Sequence, residues 1–74
     1  MTSGGEPINA PLAGNVINVP VTAGQQVSAG DTILILEDMK METNISAPND
    51  GQIVEVKVRE GDSVTVGDVL LTIA

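Results

Sequence analysis

Apolar residues occupy every second position along two stretches of the chain, and each stretch is followed by a short continuous apolar run. The alternating apolar positions are Ile17, Val19, Val21, Val54, Val56 and Val58. A period of two is typical of a β-strand with one buried face, and the runs at 32–36 and 69–73 have the length of buried strands. Because glycines interrupt every apolar set with helical spacing, no helix is predicted.

The chain is built from two copies of one unit. Residues 8–37 align with residues 45–74 at a constant offset of 37 without a gap, and ten of the thirty positions are identical. The glycines keep their register between the copies, as expected of residues that mark the turns between short strands. Since neither copy could bury its own apolar face, we predict about four strands per copy that close on each other as an all-β flattened barrel or sandwich with a pseudo-twofold axis.

A short segment, residues 38–44, connects the two copies. The pseudo-twofold axis relates this connector to the pair of chain ends. The first and last strands are therefore expected to lie side by side, on the opposite side of the domain from the connector. Pro20 lacks the N–H group that a strand ladder needs, so it is expected at a sheet edge or facing solvent.

The composition excludes several classes of function. The 74 residues are enough for one domain, and they include no Cys and no His. This removes disulfides, structural zinc sites and the nucleophile–base pairs of acyl-transfer enzymes. A formal net charge of -7 would repel a phosphate backbone, and no aromatic residue is present on which a base could stack. We therefore predict no catalytic residue, no metal site and no nucleic-acid partner.

The sequence also lacks the apolar segments that direct a chain to a membrane. No apolar run approaches the about 18 residues that a membrane span needs. The first residues lack the charged and apolar regions of a signal peptide. The domain is therefore expected in the cytoplasm without direct membrane insertion, and at a membrane only through a larger parent subunit.

Lys40 is the candidate functional residue because it lies in the connector between two predicted buried strands. The chain has only one other lysine, Lys57. A lysine amine is protonated at neutral pH and is acylated only when a separate ligase brings it an activated acyl donor, so exposure at a turn is the condition for modification. Met39 and Met41 flank this amine at a tip that would ordinarily carry Asn, Gly or Asp. Two apolar side chains beside one exposed amine indicate a recognition surface.

A plainer interpretation also fits the residues alone. Lys40 could be a solvated turn lysine, balanced by the nearby carboxylates of Glu37, Asp38 and Glu42. The two methionines could fill gaps at the end of the core. Under this interpretation the chain is an unmodified β-sandwich interaction module, and it binds a partner through its methionine-bearing tip.

The segment EDMKMET at residues 37–43 resembles the attachment motif of biotinyl (biotin carboxyl carrier) domains, which belong to the biotin/lipoyl attachment family. The Ala-Pro-x-x-Gly openings of both copies, at 10–14 and 47–51, and the Gly-Asp turns are similar as well. The resemblance covers residues 7–74. It implies a non-catalytic carrier domain that folds as a barrel-sandwich of two four-stranded antiparallel sheets.

The resemblance assigns roles to three residues. It implies that a biotin protein ligase attaches biotin to Lys40 and recognises Met39 and Met41. The attached biotin would swing between carboxyltransferase and decarboxylase or biotin carboxylase domains or subunits, and it would shuttle a carboxyl group between their active sites. Residues 1–6 would be a linker or a cloning remnant ahead of the carrier domain.

Two features bear on which carrier this chain is. Asp38 stands where biotinyl domains usually have Ala or Val, so biotin is expected to be ligated less efficiently. Lipoyl domains share the fold but place Asp directly before the lysine and often Ala after it, and Met39 and Met41 occupy those positions here. A lipoyl carrier is thus the alternative to a biotin carrier.

The opening and the end of the repeat also resemble one group of biotinyl domains in particular. Residues 8–14 and the close of the chain look most like the biotinyl domain at the C-terminus of the oxaloacetate decarboxylase α subunit. The carriers of transcarboxylase, pyruvate carboxylase and acyl-CoA carboxylase are similar and remain alternatives.

Overall fold

A computed structural model describes residues 5–74, which form eight β-strands and no helix. The strands are β1 (Glu6–Asn9), β2 (Gly14–Asn18), β3 (Gln26–Val27), β4 (Thr32–Asp38), β5 (Met41–Ser46), β6 (Gly51–Val56), β7 (Ser63–Val64) and β8 (Val69–Ile73). They make two four-stranded sheets with the orders β1-β8-β6-β3 and β5-β4-β2-β7, and every pairing is antiparallel. The predicted all-β architecture is confirmed.

The two copies of the repeat exchange strands. Each sheet contains two strands from the first copy and two from the second, because β1 pairs with β8 and β3 pairs with β6. The register repeats at the offset of 37: the pairs Val16↔Leu36 and Ile53↔Ile73 are equivalent. Neither copy can therefore form a complete sheet without the other, as the sequence predicted.

The core lies between the sheets and is filled mainly by the two apolar runs. Its fully buried side chains are Val16, Ile33, Leu34, Leu36, Ile53, Leu70 and Leu71. The register of β4 with β5 skips Ile33, and that of β8 with β1 skips Leu70, so each strand has a bulge at the same place in its copy. A bulge lets two consecutive residues face inward, which explains why these segments are apolar runs instead of alternating patterns.

A second pair of bulges changes the predicted phase of β2 and β6. The register shifts between Val16 and Asn18 in the first copy, and at the equivalent place in the second. Val16 is buried, whereas Ile17 is only half-buried. The predicted alternation through Ile17 therefore holds only beyond the bulge, where Val21 is buried again. The strand itself ends at Asn18, and Pro20 lies exposed in the following loop.

Glycines in the left-handed region form the turns that the repeat predicted. Gly30 and Gly67 both have a φ of 92°, which side chains with a Cβ rarely adopt. The next residue closes each turn: Asp31 Oδ2 accepts the Ser28 N–H at 2.8 Å, and Asp68 Oδ2 accepts the Thr65 N–H at 2.9 Å. The repeated Gly-Asp pair is thus explained by backbone geometry and by a carboxylate that satisfies a free N–H group.

The described ends of the chain lie together, far from the connector between the copies. Glu6 of β1 pairs with Ile73 of β8. Ala74 exchanges two backbone hydrogen bonds with Gln52, and both distances are 2.9 Å. Gln52 belongs to the part of β6 that follows β5 directly, at the end of β5 remote from the connector. The predicted placement of the first and last strands is therefore confirmed.

The start of the chain bears on the predicted domain boundary. Residues 1–4 lie outside the described residues, and most of the linker predicted at 1–6 falls on them. Glu6 is the first residue of β1.

We predict that Thr72→Val stabilises the domain by about 1 kcal/mol, because a buried hydroxyl without a partner costs free energy. Thr72 is 9% exposed, and its Oγ1 is the buried side-chain oxygen within residues 5–74 that lacks a hydrogen bond. The equivalent residue of the first copy is the apolar Ile35. Urea unfolding gives the change in the free energy of unfolding.

Thr32→Val is the matched control, since Thr32 is only half-buried and its equivalent in the second copy is Val69. We expect this control to change the free energy of unfolding by less than about 0.5 kcal/mol. A loss of stability in Thr72→Val, or an equal gain in both variants, would contradict the prediction.

Candidate functional site

The connector between the copies is a tight β-hairpin. The last paired residues are Asp38 of β4 and Met41 of β5, so Met39 and Lys40 alone form the turn. Most of the connector at 38–44 therefore belongs to the two strands. Its polar residues lie largely in β5, which is the edge strand of its sheet, where polar side chains face solvent.

The turn holds two ordinary residues in an unusual backbone conformation. Met39 has a φ of 51° and Lys40 a φ of 73°, and no other residue except glycine has a positive φ within residues 5–74. A two-residue hairpin with positive φ at both positions usually selects Asn and Gly. For other residues the left-handed region costs about 1–2 kcal/mol each. The sequence carries no turn signal here, so this conformation could not be predicted from it.

The hairpin extends beyond its neighbours in the sheet. On the β2 side, the pairing of β4 reaches only Asn15↔Glu37, while the β4–β5 pairing continues to the tip. Gly14 allows the close approach of the two backbones at this point, because a Cβ on it would lie 2.7 Å from the Glu37 carbonyl oxygen. The turn therefore projects from the body of the domain on two paired strands.

The side chains of the tip are in solvent. Met39 is 88% exposed and Met41 72% exposed, so neither fills a gap in the core. Lys40 is exposed as well. In the described part of the chain the one ion pair joins Lys57 Nζ to Glu55 Oε1 at 3.3 Å, so Lys40 Nζ has no carboxylate oxygen within 4.0 Å. The structure thus brings the three residues singled out in the sequence into one exposed group.

Within 5–74, no three His, Cys, Asp or Glu side chains are placed to hold a metal ion. Because these residues form no helix, they include none that could span a membrane. No pocket opens on the described surface.

One exposed apolar residue was missed in the sequence. Val66 lies in the turn after β7 and is 69% exposed. The repeat contained a signal for it, because the equivalent turn residue in the first copy is the smaller Ala29.

Comparison with known proteins finds a matching family model and several relatives. The family model described as "Biotin-requiring enzyme" matches residues 6–73. The methylmalonyl-CoA decarboxylase subunit gamma of Veillonella parvula is 49% identical over 43 residues, which are 58% of this chain and 33% of that protein. The chain thus aligns with only about a third of this relative.

Two solved structures share the fold. A single-chain, multi-domain long-chain acyl-CoA carboxylase has a TM-score of 0.88 and 37% identity, over 96% of this chain and 7% of that one. The lipoyl domain of the 2-oxoglutarate dehydrogenase complex from Azotobacter vinelandii has a TM-score of 0.80 and 28% identity, over 93% of this chain and 95% of that one. With a family match over nearly all of its length, the chain belongs to the biotin/lipoyl attachment family of carrier domains.

Proposed function

We propose that this chain is a biotin carboxyl carrier domain and that Lys40 is the residue to which biotin is attached. The observation that carries the proposal is the exposed Lys40 amine in a two-residue turn between two exposed methionines. The residues fit the group, since an amide to biotin needs one accessible primary amine and a surface by which a ligase can select it. Both are present at the tip.

Attachment uses chemistry that the tip permits. A ligase presents an activated carboxyl carbon, Lys40 Nζ attacks it after losing a proton, and a C–N bond forms as the activating group departs. No ion pair has to be broken first, because no carboxylate lies within 4.0 Å of this amine in the described residues. The amide that results is neutral, so modification removes the positive charge from the tip.

The paired strands then serve as a rigid support for a flexible arm. Bound biotin supplies the chemistry, since its ureido nitrogen accepts and gives up a carboxyl group. The chain contributes position: β4 and β5 are paired up to Asp38↔Met41, so the lysine side chain leaves from a fixed point. Tethering keeps the carried group at a high effective concentration near the enzyme's active sites.

The flanking residues favour biotin over lipoate. Lipoyl domains share the fold, as the similarity to the Azotobacter vinelandii domain illustrates. However, Met39 and Met41 occupy the positions where the lipoyl motif has Asp and often Ala. The description "Biotin-requiring enzyme" of the matching family model supports the same choice. A lipoyl carrier remains the second candidate.

For the parent enzyme, only the class of reaction and substrate is inferred. The resemblance of residues 8–14 favours the oxaloacetate decarboxylase α subunit, whereas the relatives above are named for methylmalonyl-CoA and long-chain acyl-CoA. We infer a cytoplasmic biotin-dependent decarboxylase or carboxylase that acts on an acyl-CoA, with oxaloacetate decarboxylase as the alternative. Its carboxyltransferase, decarboxylase or biotin carboxylase parts would be the partners of the tip.

We predict that incubation with a biotin protein ligase, ATP and biotin adds one biotinyl mass to the chain, and that Lys40→Arg abolishes the addition. Lys57→Arg is the matched control, because Lys57 is the only other lysine and is already paired with Glu55. It should accept biotin at the wild-type rate. Intact-mass spectrometry measures both results.

A parallel reaction with a lipoyl ligase and lipoate separates the two carriers. A lipoyl increment on Lys40 without a biotinyl one would replace the proposal by its alternative. Addition of neither group to the wild-type chain would leave an unmodified interaction module as the explanation of the tip.

We predict that replacing Met39 by Asn slows biotinylation about tenfold while raising the stability of the domain by up to about 1 kcal/mol. Ligation slows because an apolar contact with the ligase is lost. Stability rises because Asn tolerates a positive φ better than Met does. Initial rates of biotinylation and urea unfolding measure the two effects.

Asn44→Ser in β5 is the control for this pair of effects, because Asn44 is exposed and lies outside the motif at 37–43, and both of its values should stay close to wild type. If Met39→Asn lost stability but was biotinylated at the wild-type rate, Met39 would act only in packing, and the prediction would be wrong.

We predict that the biotinylated domain accepts the labelled carboxyl group of methylmalonyl-CoA faster than that of oxaloacetate, when each is supplied with a purified carboxyltransferase of that specificity. Label retained on the protein after rapid gel filtration measures the transfer. The unbiotinylated Lys40→Arg variant gives the background. Faster transfer from oxaloacetate would reverse the choice of parent enzyme and leave the carrier role intact.

A further inference from the structure

The pseudo-twofold axis makes two corners of the fold equivalent, so that each serves as a control for the other. The tip-side corner consists of residues 10–13 and 65–68, and the base corner of residues 47–50 and 28–31. The backbone hydrogen bonds are the same in both. They run from Gly67 N to Ala10 O at 2.9 Å, from Ala10 N to Asp68 O at 2.8 Å, from Gly30 N to Ala47 O at 2.8 Å and from Ala47 N to Asp31 O at 2.8 Å.

The tip-side corner lies at the end of the domain that carries Lys40. Asn15 of β2 pairs with Glu37 of β4 on one side and with Ser63 of β7 on the other. From this row β4 runs toward Lys40 and β7 runs toward Val66, both in the direction of residues 10–14, because both strands are antiparallel to β2. The approach of the segments is close, because Leu12 Cδ1 lies 3.6 Å and the Glu37 carbonyl oxygen 2.7 Å from the point that a Gly14 Cβ would occupy.

The two corners have the same backbone hydrogen bonds but different side chains. The base corner is polar: it contains Asn49 and Asp50, and Asp50 Oδ1 accepts the Ala29 N–H at 2.7 Å. The equivalents at the tip-side corner are Leu12, Ala13 and Val66. Ala13 has no oxygen to offer, and the Val66 N–H has no hydrogen-bond partner within residues 5–74. The fold therefore accepts polar residues at such a corner and gains a hydrogen bond from them.

Apolar residues at the tip-side corner are exposed instead of buried. Val66 is 69% exposed, Pro11 and Ala13 are exposed, and Leu12 is half-buried against the core. Together with Met39 and Met41, Val66 completes the set of large apolar side chains that are exposed in residues 5–74, and all three lie at one end. Single exposed apolar residues are common, but a group at one end marks a contact surface.

Acidic residues surround this apolar group. Asp38 and Glu42 flank the turn, and Asp68 follows Val66. Lys40 is the only basic residue of the hairpin, and it becomes neutral on acylation. A surface that fits this end would therefore have an apolar centre and basic residues at its rim, because such a rim complements the carboxylates.

We propose that the tip-side corner is a second contact surface for the biotin protein ligase, in addition to the Met39–Lys40–Met41 turn; the proposal rests on the proposed function of Lys40. The ligase is the partner that must reach bonding distance of Lys40 Nζ itself, before any long arm separates an enzyme from the domain. Strands β4 and β7 are two strand spacings apart, or about 10 Å. A protein contact of ordinary size, about 800 Å² per partner, covers that distance.

The test compares initial rates of biotinylation of the 74-residue chain at low substrate concentration, with a purified bacterial biotin protein ligase, ATP and biotin. Ala13→Asp and Ala29→Asp each add one carboxylate to one of the corners, at positions that are not equivalent, since Ala13 corresponds to Asp50 and Ala29 to Val66. Val66→Ser removes the apolar side chain without adding a charge. We expect Ala13→Asp and Val66→Ser to lower kcat/KM about tenfold, and Ala29→Asp to stay within about twofold of wild type.

Thermal unfolding of the same variants separates the loss of a contact with the ligase from a loss of stability. Ala13→Asp should unfold at the wild-type temperature or higher, because its carboxylate can accept the free Val66 N–H as Asp50 accepts that of Ala29. If Ala13→Asp and Val66→Ser were biotinylated as fast as Ala29→Asp while the wild-type chain accepted biotin normally, the proposed second contact surface would be overturned. The proposed function of Lys40 would stand. A wild-type chain that accepts no biotin would overturn the proposed function as well.

Discussion

The structure depends on the pairing of each half of the chain with the other. The two apolar runs, β4 and β8, are central strands that each pair on one side with a strand of the opposite copy, through β5 and β1. Their inward residues, such as Leu34 and Leu71, are completely buried. A chain of this size without cysteines relies on such burial for its stability, since small domains bury a low fraction of their surface. The same pairing fixes the hairpin, because β5 is an edge strand held by β4 alone.

The repeat in the sequence was sufficient to predict an all-β sandwich with about four strands per copy and the meeting of the first and last strands. It was sufficient because glycine register and apolar spacing report backbone requirements that both copies share. Two kinds of detail were not predictable. The bulges at Ile17 and Ile33 depend on the register between strands, which local spacing does not encode. The tight turn at Met39 and Lys40 contains neither Gly nor Asn, so pairing across the hairpin imposes a conformation that the residues themselves do not favour.

Some features of the candidate site can be identified from the sequence, and others depend on how the strands pair. Lys40, Met39 and Met41 were identified from the sequence as a group, and their joint exposure followed from the position of the connector. The position of Val66 required coordinates, because only the strand pairing places it at the same end of the domain as the tip. The carrier function proposed here needs no catalytic group in the chain itself. It needs an accessible amine on a support that does not collapse against the core, and the paired end of the hairpin provides this.

The seam where β1 meets β8 has a further meaning. Glu6↔Ile73 is the symmetry equivalent of Thr43↔Leu36 in the hairpin, so the domain has two matching poles, one closed by the Met39–Lys40 turn and the other formed by β1 and β8 side by side. A copy of the turn would join β8 to β1 with the geometry that joins β4 to β5. The backbone thus permits a lysine-bearing turn at either pole, and a circular permutation of the domain is compatible with its core.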